Sequence, residues 1–189
     1  MLINGPPLLL VVLVGIPGSG KSTLSRALIA GAPRTGRDWS RISQDMLGTR
    51  KRCVQAAKTA LRQGNHVLVD RCNFDAQQRA HWTELRVEPH TPFDHSLAVY
   101  LPLPPEEALQ RVLSRGVHEG GVDTDSMSRA KIASIVSRMQ SDLRPPDLSE
   151  GFDEVLRVDA ADSGSQHGSS AVLQRIWALA DGNDDPTVT

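Results

Sequence analysis

The sequence predicts an α/β fold in which a parallel β-sheet is covered by helices on both faces. Short aliphatic runs alternate along the chain with segments that repeat apolar residues at helical spacing. The first run, Leu8–Val14, is aliphatic throughout, as expected of a strand buried on both faces. The chain has 189 residues, 39% of them hydrophobic and 23% charged, which suits one folded domain and excludes a disordered chain or a coiled-coil rod.

Each element follows from a local pattern. Five runs are predicted as strands: Leu8–Val14, Trp39–Ser43, His66–Asp70, Ser96–Leu101 and Phe152–Val158. Six segments are predicted as helices: Lys21–Ala30, Thr49–Gln63, Asp75–Leu85, Pro104–Arg115, Met127–Gln140 and Ala171–Ala180. The second helix has the most regular apolar face, at spacings i, i+3, i+4, i+7 and i+8 from Cys53. Asp75 and Gln78 are spaced as in a capping box at the start of the third.

Residues 1–180 are expected to form a single domain, and residues 181–189 a flexible acidic tail. Gly116–Asp125 is predicted to be a mobile loop and Asp159–Ser169 a polar linker. The run Leu8–Val14 is too short to cross a membrane. It also lacks the basic residues that precede the apolar run of a signal peptide. Two cysteines make no disulfide scaffold. The sequence therefore predicts an intracellular protein, nuclear or cytoplasmic, without a membrane partner.

Charge is distributed unevenly although the net charge is only −1. Residues 34–62 hold eight basic and two acidic side chains, whereas residues 142–189 hold ten acidic and three basic ones. A local basic surface is therefore compatible with a nearly neutral chain. Lys51, Lys58 and Arg62 lie opposite the apolar face of their predicted helix. These side chains could contact polynucleotide phosphates. The alternative is that they form an ordinary solvated helix face.

The strongest motif lies between the first strand and the first helix. Residues 15–22 read Gly-Ile-Pro-Gly-Ser-Gly-Lys-Ser and fit the pattern G-x-x-x-x-G-K-[ST]. Glycines in such a loop turn backbone N–H groups inward, and the following helix adds its N-terminal dipole to the same anion site. Lys21 is predicted to reach the β- and γ-phosphates of ATP, and the Ser22 hydroxyl to hold Mg²⁺.

Two acidic residues follow predicted strands, at the sheet edge where parallel sheets place functional groups. Asp45 follows the second strand and suits a general base that takes a proton from an attacking hydroxyl. Its alternative role is an N-cap for the next helix. Asp70 ends the third strand and suits a Mg²⁺ ligand, with a strand-end turn residue as the alternative. The six histidines show no metal-ligand spacing, so no zinc site is predicted.

Arg111 and Arg115 share one helical face directly before the glycine-rich segment 116–121. They are predicted to serve a lid that closes over ATP and neutralises its charge. The alternative is a solvated helix face on which Arg111 pairs with Glu107.

These blocks resemble the kinase module of polynucleotide 5′-hydroxyl kinases over roughly residues 8–158. The resemblance is carried by the loop at 15–23, by Ser43–Gly48, by Val69–Asn73 with Arg79, by Ser114–Gly116, and by Pro145-Pro146 followed by Glu150–Phe152. Val69–Asn73 and His118-Glu119-Gly120 are more similar still to the N-terminal kinase-like module of plant-type aprataxin-like proteins. The resemblance implies a P-loop nucleoside-kinase-type three-layer sandwich, with a five-stranded parallel sheet and a small lid.

The resemblance also implies roles for individual residues. Lys21, Asp45 and Arg115 would be catalytic, with Asp45 as the general base. Ser22 and Asp70 would hold Mg²⁺, and Asp45, Asp70, Asn73 and Arg79 would build the acceptor side. ATP would be bound by Gly15, Pro17, Gly18, Ser19, Gly20, Lys21, Ser22, Thr23, Arg111 and Arg115. Two positions depart from the family: Ser43-Gln44 stands where Asn-Arg is common, and Gly48 where the phage enzyme has a substrate-binding arginine.

The expected function is transfer of the ATP γ-phosphate to a 5′-hydroxyl of DNA or RNA. Two alternatives stay open at this point. A kinase for a small molecule or free nucleotide would use the same ATP residues with a closed acceptor pocket. A non-catalytic nucleotide-binding module would not need Asp45.

Overall fold

The computed structural model describes residues 6–32, 36–88, 92–114, 128–158 and 170–183. The described strands form one parallel sheet in the order β2-β3-β1-β4-β5. Their bounds are β1 Leu9–Val14, β2 Trp39–Ser43, β3 His66–Asp70, β4 His95–Tyr100 and β5 Glu154–Arg157. The five-stranded parallel sheet predicted from the sequence is therefore confirmed.

Helices connect the strands and begin at residues with recognisable caps. Their bounds are α1 Lys21–Gly31, α2 Gln44–Leu47, α3 Arg50–Arg62, α4 Ala76–Thr83, α5 Pro105–Ser114, α6 Arg129–Asp142 and α7 Ser170–Ala180. Short 3₁₀ turns cover Glu84–Val87 and Leu148–Glu150. Thr49 caps α3, and Asp75 caps α4 by accepting from the Gln78 N–H.

Alternate residues of β1 face opposite sides of the sheet, so its aliphatic run contributes to two cores. Leu10 and Val12 pack with the buried faces of α3 and α4, represented by Cys53 and Trp82. Leu9, Val11 and Leu13 pack with residues of α1 and α7 on the other side. This burial on both faces explains why the strand contains no polar residue, and it gives the expected three layers.

The structure adds one element that the sequence pattern did not predict. The four residues Gln44–Leu47 form a short helix directly after β2. The predicted helix through Leu85 instead ends at Thr83 and continues as a 3₁₀ turn. Over the described ranges, no helix combines the length and the apolar character needed to traverse a lipid bilayer.

Several predictions fall outside the described residues and stay predictions. They concern Arg115 and the loop at 116–125 with His118-Glu119-Gly120, the linker at 159–169, and the tail beyond residue 183.

Candidate active site

Three neighbouring strands bring the predicted site residues to one edge of the sheet. The phosphate loop follows β1, Asp70 ends β3, and Asp45 lies two residues beyond β2. Because β3 lies between β1 and β2, Asp70 stands between the loop and Asp45. In the parallel register Ser43 pairs with Asp70, so the ends of β2 and β3 are level. The sheet order therefore places the phosphate loop on one side of the end of β3 and the predicted base, Asp45, on the other.

The phosphate loop holds its lysine at its centre. Lys21 is only 8% exposed, and its Nζ donates to the carbonyls of Gly15 and Ile16 at 3.0 and 2.8 Å. Its third contact, to Ser19 Oγ, is a weak 3.4 Å. One N–H of the ammonium can therefore turn to a phosphate oxygen without loss of a strong bond.

The N-terminus of α1 opens onto this loop. Its N-cap is Gly20, with φ of 95°, and no side chain caps the helix. The first helical N–H groups can therefore serve an anion, which the helix dipole also favours.

Glycine is required within the loop because α5 packs closely on it. Gly18 has φ of 86°, and a Cβ there would lie 2.7 Å from the Ala108 carbonyl oxygen. A Cβ at Gly15 would lie 2.9 Å from the Leu101 carbonyl oxygen. A side chain at either position would push α5 or the end of β4 away from the loop.

Asp70 is buried and is held by an arginine of the neighbouring strand. Its Oδ2 accepts from Arg41 Nε and Nη2 at 2.9 and 2.6 Å. Oδ2 thus accepts both hydrogen bonds from the Arg41 guanidinium. Asp70 is therefore more than a turn residue, although its role as a Mg²⁺ ligand stays a prediction.

Asp45 lies in the first turn of α2 and is exposed. The caps of α2 and α3 are Ser43 and Thr49, so Asp45 is not the N-cap that the spacing allowed. Burial lowers the pKa of the Arg71 guanidinium and raises the pKa of the Cys53 thiol, and the Asp45 charge acts in the upward direction on both. Asp45 therefore interacts electrostatically with the segment that follows β3.

Asn73 ties that segment to the sheet. It is fully buried and adopts φ of 44°, which is uncommon for a side chain other than glycine. Its amide donates to the carbonyls of Leu13 and Arg71 at 2.8 and 3.3 Å, and its Oδ1 accepts from Trp82 Nε1 at 3.0 Å. The Gly15 N–H also donates to the Cys72 carbonyl at 3.0 Å. The segment that follows β3 is thus hydrogen-bonded to the end of β1 and to the phosphate loop.

Arg79 is fully buried, and the protein itself uses all of its donors. Nε and Nη2 bind the two carboxylate oxygens of Glu150 at 2.6 Å each. Nη1 donates to the carbonyls of Asn73 and Arg144, and Nη2 has a weaker bond to the Pro145 carbonyl. These account for the five N–H groups of a guanidinium. No donor of Arg79 is left for a ligand: Arg79 joins α4 to the 3₁₀ turn at Leu148–Glu150, and its predicted place on the acceptor side stays a prediction.

Two of the other predicted basic residues, Arg111 and Lys58, have carboxylate partners, and Arg115 lies outside the described residues. Arg111 Nη2 pairs with Glu107 at 2.5 Å, as the helical spacing allowed. Lys58 pairs with Glu88 at 2.7 Å, which reduces the charge that its helix face presents. Lys51 is exposed. The nucleic-acid contact of this face and the lid role of Arg115 stay predictions.

Arg71 is a residue to which the sequence pattern assigned no role. It follows Asp70, it is half-buried, and its Cζ lies 5.8 Å from the centre of the Trp82 ring. Its Nε and Nη1 are enclosed without a hydrogen-bond partner in the described part of the chain. Burial is the main reason that the pKa of Arg71 is lowered. The signal in the sequence was a basic residue directly after a strand-end acid.

This fold and this loop define a P-loop nucleotide-binding protein of the α/β kinase class. The profile of one protein family, described as an AAA domain, matches residues 10–141, and the chain belongs to that family. The match runs from β1 through α6 and so includes the loop, Asp45 and Asp70.

Curated relatives agree with the resemblance predicted from the motifs. The chain is 33% identical over 156 residues to a protein of Arabidopsis thaliana called transcription factor bHLH140, covering 78% of this chain and 16% of that protein. It is 30% identical over 149 residues to the bifunctional polynucleotide phosphatase/kinase of Schizosaccharomyces pombe, covering 79% and 33%. The similarity to polynucleotide kinases is thereby confirmed. The chain spans a third or less of the length of these relatives.

A solved structure supports the fold. The crystal structure of a fungal RNA kinase superposes with a TM-score of 0.70 at 18% identity, covering 92% of this chain and 85% of that one. At this identity the likeness concerns the fold, which is confirmed as α/β and nucleoside-kinase-like.

Proposed function

We propose that this protein is an ATP-dependent polynucleotide 5′-hydroxyl kinase, which transfers the γ-phosphate of ATP to a 5′-hydroxyl of DNA or RNA. The observation that carries the proposal is the placement of Asp45 across the end of β3 from the phosphate loop. A phosphate loop alone suits any nucleoside triphosphatase, whereas a carboxylate at the acceptor side suits transfer to a hydroxyl. The polynucleotide acceptor is supported by the Schizosaccharomyces pombe relative, whose name includes that activity.

The chemistry asked of the protein is positioning and charge neutralisation. Loop N–H groups, the N-terminus of α1 and Lys21 would bind the β- and γ-phosphates of ATP. Asp45 would accept the proton of the 5′-hydroxyl as its oxygen bonds to the γ-phosphorus. The bond between that phosphorus and the β,γ-bridging oxygen breaks, and its electron pair leaves with ADP. The products are ADP, a 5′-phosphorylated end and one proton, which Asp45 releases to solvent.

Mg²⁺ is the metal that this chemistry implies, and the donors present are compatible with it. The Ser22 hydroxyl and the Asp70 carboxylate are hard oxygen donors. In the described ranges no three His, Cys, Asp or Glu side chains cluster as a metal site. That sparse set suits Mg²⁺, which is usually held by one or two protein oxygens together with phosphates and water. When bound, Mg²⁺ would neutralise charge on the phosphate oxygens.

The test is an assay with ATP labelled in its γ-phosphate. Acceptors are a 5′-hydroxyl DNA oligonucleotide, the same sequence as RNA, free nucleosides and a buffer blank. A matched oligonucleotide that already has a 5′-phosphate serves as the negative control. We expect label on the 5′ end of a 5′-hydroxyl oligonucleotide and none on the control. Label that appears only on nucleosides supports the small-molecule alternative, and label released only as inorganic phosphate contradicts a kinase.

A further inference from the structure

Arg71 presents an unusual combination of burial and missing partners. Its Nε and Nη1 are enclosed, and no hydrogen bond or ion pair to them occurs in the described part of the chain. Arg79, eight residues on, uses every donor it has. Buried donors without partners cost free energy, more so when they are charged. A buried guanidinium with unpaired donors is stabilised when an anion binds and its oxygens accept hydrogen bonds from those donors.

The charges around Arg71 do not neutralise it. The charged groups that act on its pKa include Arg50, which lowers it, and Asp45, which raises it. Cys53 is another neighbour, but burial raises the pKa of that thiol and keeps it neutral. Neither Asp45 nor Cys53 forms a hydrogen bond with Nε or Nη1 of Arg71 in the described ranges. An anion bound beside it would therefore gain from a positive local potential.

Trp82 holds the guanidinium in place. Its ring is fully buried, lies 5.8 Å from Arg71 Cζ, and is itself fixed by the hydrogen bond from Nε1 to Asn73. A planar guanidinium stacked near an indole loses little freedom when it binds two oxygens at once, which is the geometry of a phosphate contact. No carboxylate of the described residues binds Nε or Nη1 of Arg71, and this geometry suits a phosphate.

The position of Arg71 indicates that the phosphate belongs to the acceptor and not to ATP. It lies at the end of β3, and the adjoining Cys72 carbonyl accepts from Gly15 of the phosphate loop. Asp45 is close enough to act electrostatically on the Arg71 guanidinium. An acceptor whose 5′-hydroxyl faces Asp45 has its first phosphate on the far side of the same ribose. Arg71 stands on the acceptor side of the site, where that group would fall.

We infer that Arg71 is a specificity-determining residue that binds a phosphate of the acceptor strand. This inference rests on the proposed function, since it names the part of the acceptor that the same site recognises. It implies that an acceptor with a phosphate beyond its 5′-hydroxyl nucleoside is preferred to a nucleoside without one.

The test compares Arg71→Gln and Arg71→Lys with the wild type. For Arg71→Gln we expect KM for a 5′-hydroxyl oligonucleotide to rise about 10- to 100-fold, with KM for ATP changed less than about twofold. The preference for a nucleoside 3′-monophosphate over the nucleoside should be lost. Arg71→Lys keeps the positive charge but lacks the planar guanidinium that binds two oxygens at once, so it should recover part of this preference. Arg138→Gln is the matched control, because Arg138 is exposed on α6.

Folding and donor binding are checked separately. Because Nε and Nη1 of Arg71 have no hydrogen-bonded partner to lose among the described residues, Arg71→Gln should melt at the wild-type temperature or above. A rise in KM for ATP with an unchanged oligonucleotide KM would assign Arg71 to the donor phosphates and overturn the inference. Unchanged values for both acceptor and ATP, or a lowered melting temperature with unchanged KM values, would also overturn it.

A binding experiment separates this inference from the proposed function. Affinity for a fluorescently labelled 5′-hydroxyl oligonucleotide is measured without ATP, for the wild type and Arg71→Gln. If the wild type transfers no phosphate but its binding falls at least tenfold in Arg71→Gln, the proposed function fails and the phosphate contact stands. If transfer occurs and both proteins bind and react equally, the contact is wrong and the proposed function stands.

Discussion

At the scale of single residues, Lys21 shows how a short motif is converted into a site. Two carbonyls of the loop hold its ammonium at 2.8 and 3.0 Å, and burial removes competing water. Lys21→Ala is expected to lower phosphoryl transfer by about 10²-fold or more, because a preorganised charge is lost from the transferring phosphate. Initial rates at saturating ATP and Mg²⁺ check this, with Lys131→Ala at an exposed position of α6 as the control. Activity within a few-fold of the wild type would contradict the assignment of the loop.

Asp45 is the residue on which the reaction class depends. Asp45→Asn keeps the shape of the side chain but cannot take up a proton. We expect transfer to fall by roughly 10² to 10⁴ while the affinity for ATP stays nearly unchanged. Single-turnover rates and an ATP-binding titration measure the two quantities. Loss of ATP affinity instead would show that Asp45 serves the nucleotide, and that the acceptor base lies elsewhere.

At the scale of elements, the connection from β3 into α4 is fixed by the buried pair of Arg79 and Glu150. This pair joins α4 to the 3₁₀ turn at Leu148–Glu150, far apart in sequence. Its two parallel bonds of 2.6 Å are made by a guanidinium that has no exposed surface.

Arg79→Gln is therefore expected to lower the free energy of unfolding by about 3–5 kcal/mol, because the Glu150 charge and several carbonyls lose their partner. Urea denaturation measures it. Arg111→Gln, which breaks an exposed i, i+4 pair, should cost only about 0.3–0.5 kcal/mol. A small loss of stability in Arg79→Gln combined with a raised oligonucleotide KM would instead indicate a direct acceptor contact.

At the scale of the whole molecule, stability should depend on pH through His66. This side chain is buried in β3, and its Nδ1 accepts from the Leu9 N–H of β1 at 3.1 Å. Burial and then the charge of Arg37 lower the pKa of His66 from 6.5 to about 4. Between these two values the unfolded chain binds a proton that the folded chain does not. The free energy of unfolding therefore falls as the pH drops from about 6.5 to about 4.

The expected loss is about 3 kcal/mol for this single histidine, from the size of the shift. Denaturation curves between pH 4 and 7 measure it, and His66→Gln should flatten that part of the profile. Asp153 acts in a different window. Although burial opposes it, hydrogen bonds from Arg86 and Ser96 hold the pKa of Asp153 at about 2, so its contribution is lost only as the pH falls below about 4. An NMR titration of His66 with a midpoint near 6.5 would refute the explanation.

The elements that local patterns specify were predicted well. Leu8–Val14 and His66–Asp70 are aliphatic or nearly so because they are buried strands, and both were placed within one residue of their observed bounds. α2 was missed because four residues show no period. The strand predicted at Phe152–Val158 is shorter, Glu154–Arg157, and the flanking residues Phe152 and Val158 are buried in the two cores.

The sequence by itself determined the phosphate loop, the strand and helix on either side of it, and the acids that follow β2 and β3. Each of these depends on neighbours within a few residues, through backbone freedom at glycine, periodicity and charge. Only the tertiary structure decided which side chains are still available for chemistry. The partners Arg41 of Asp70 and Glu150 of Arg79 are 29 and 71 residues away. Such pairs form because the sheet order brings distant segments together, and the same packing encloses Nε and Nη1 of Arg71 without a hydrogen-bond partner among the described residues.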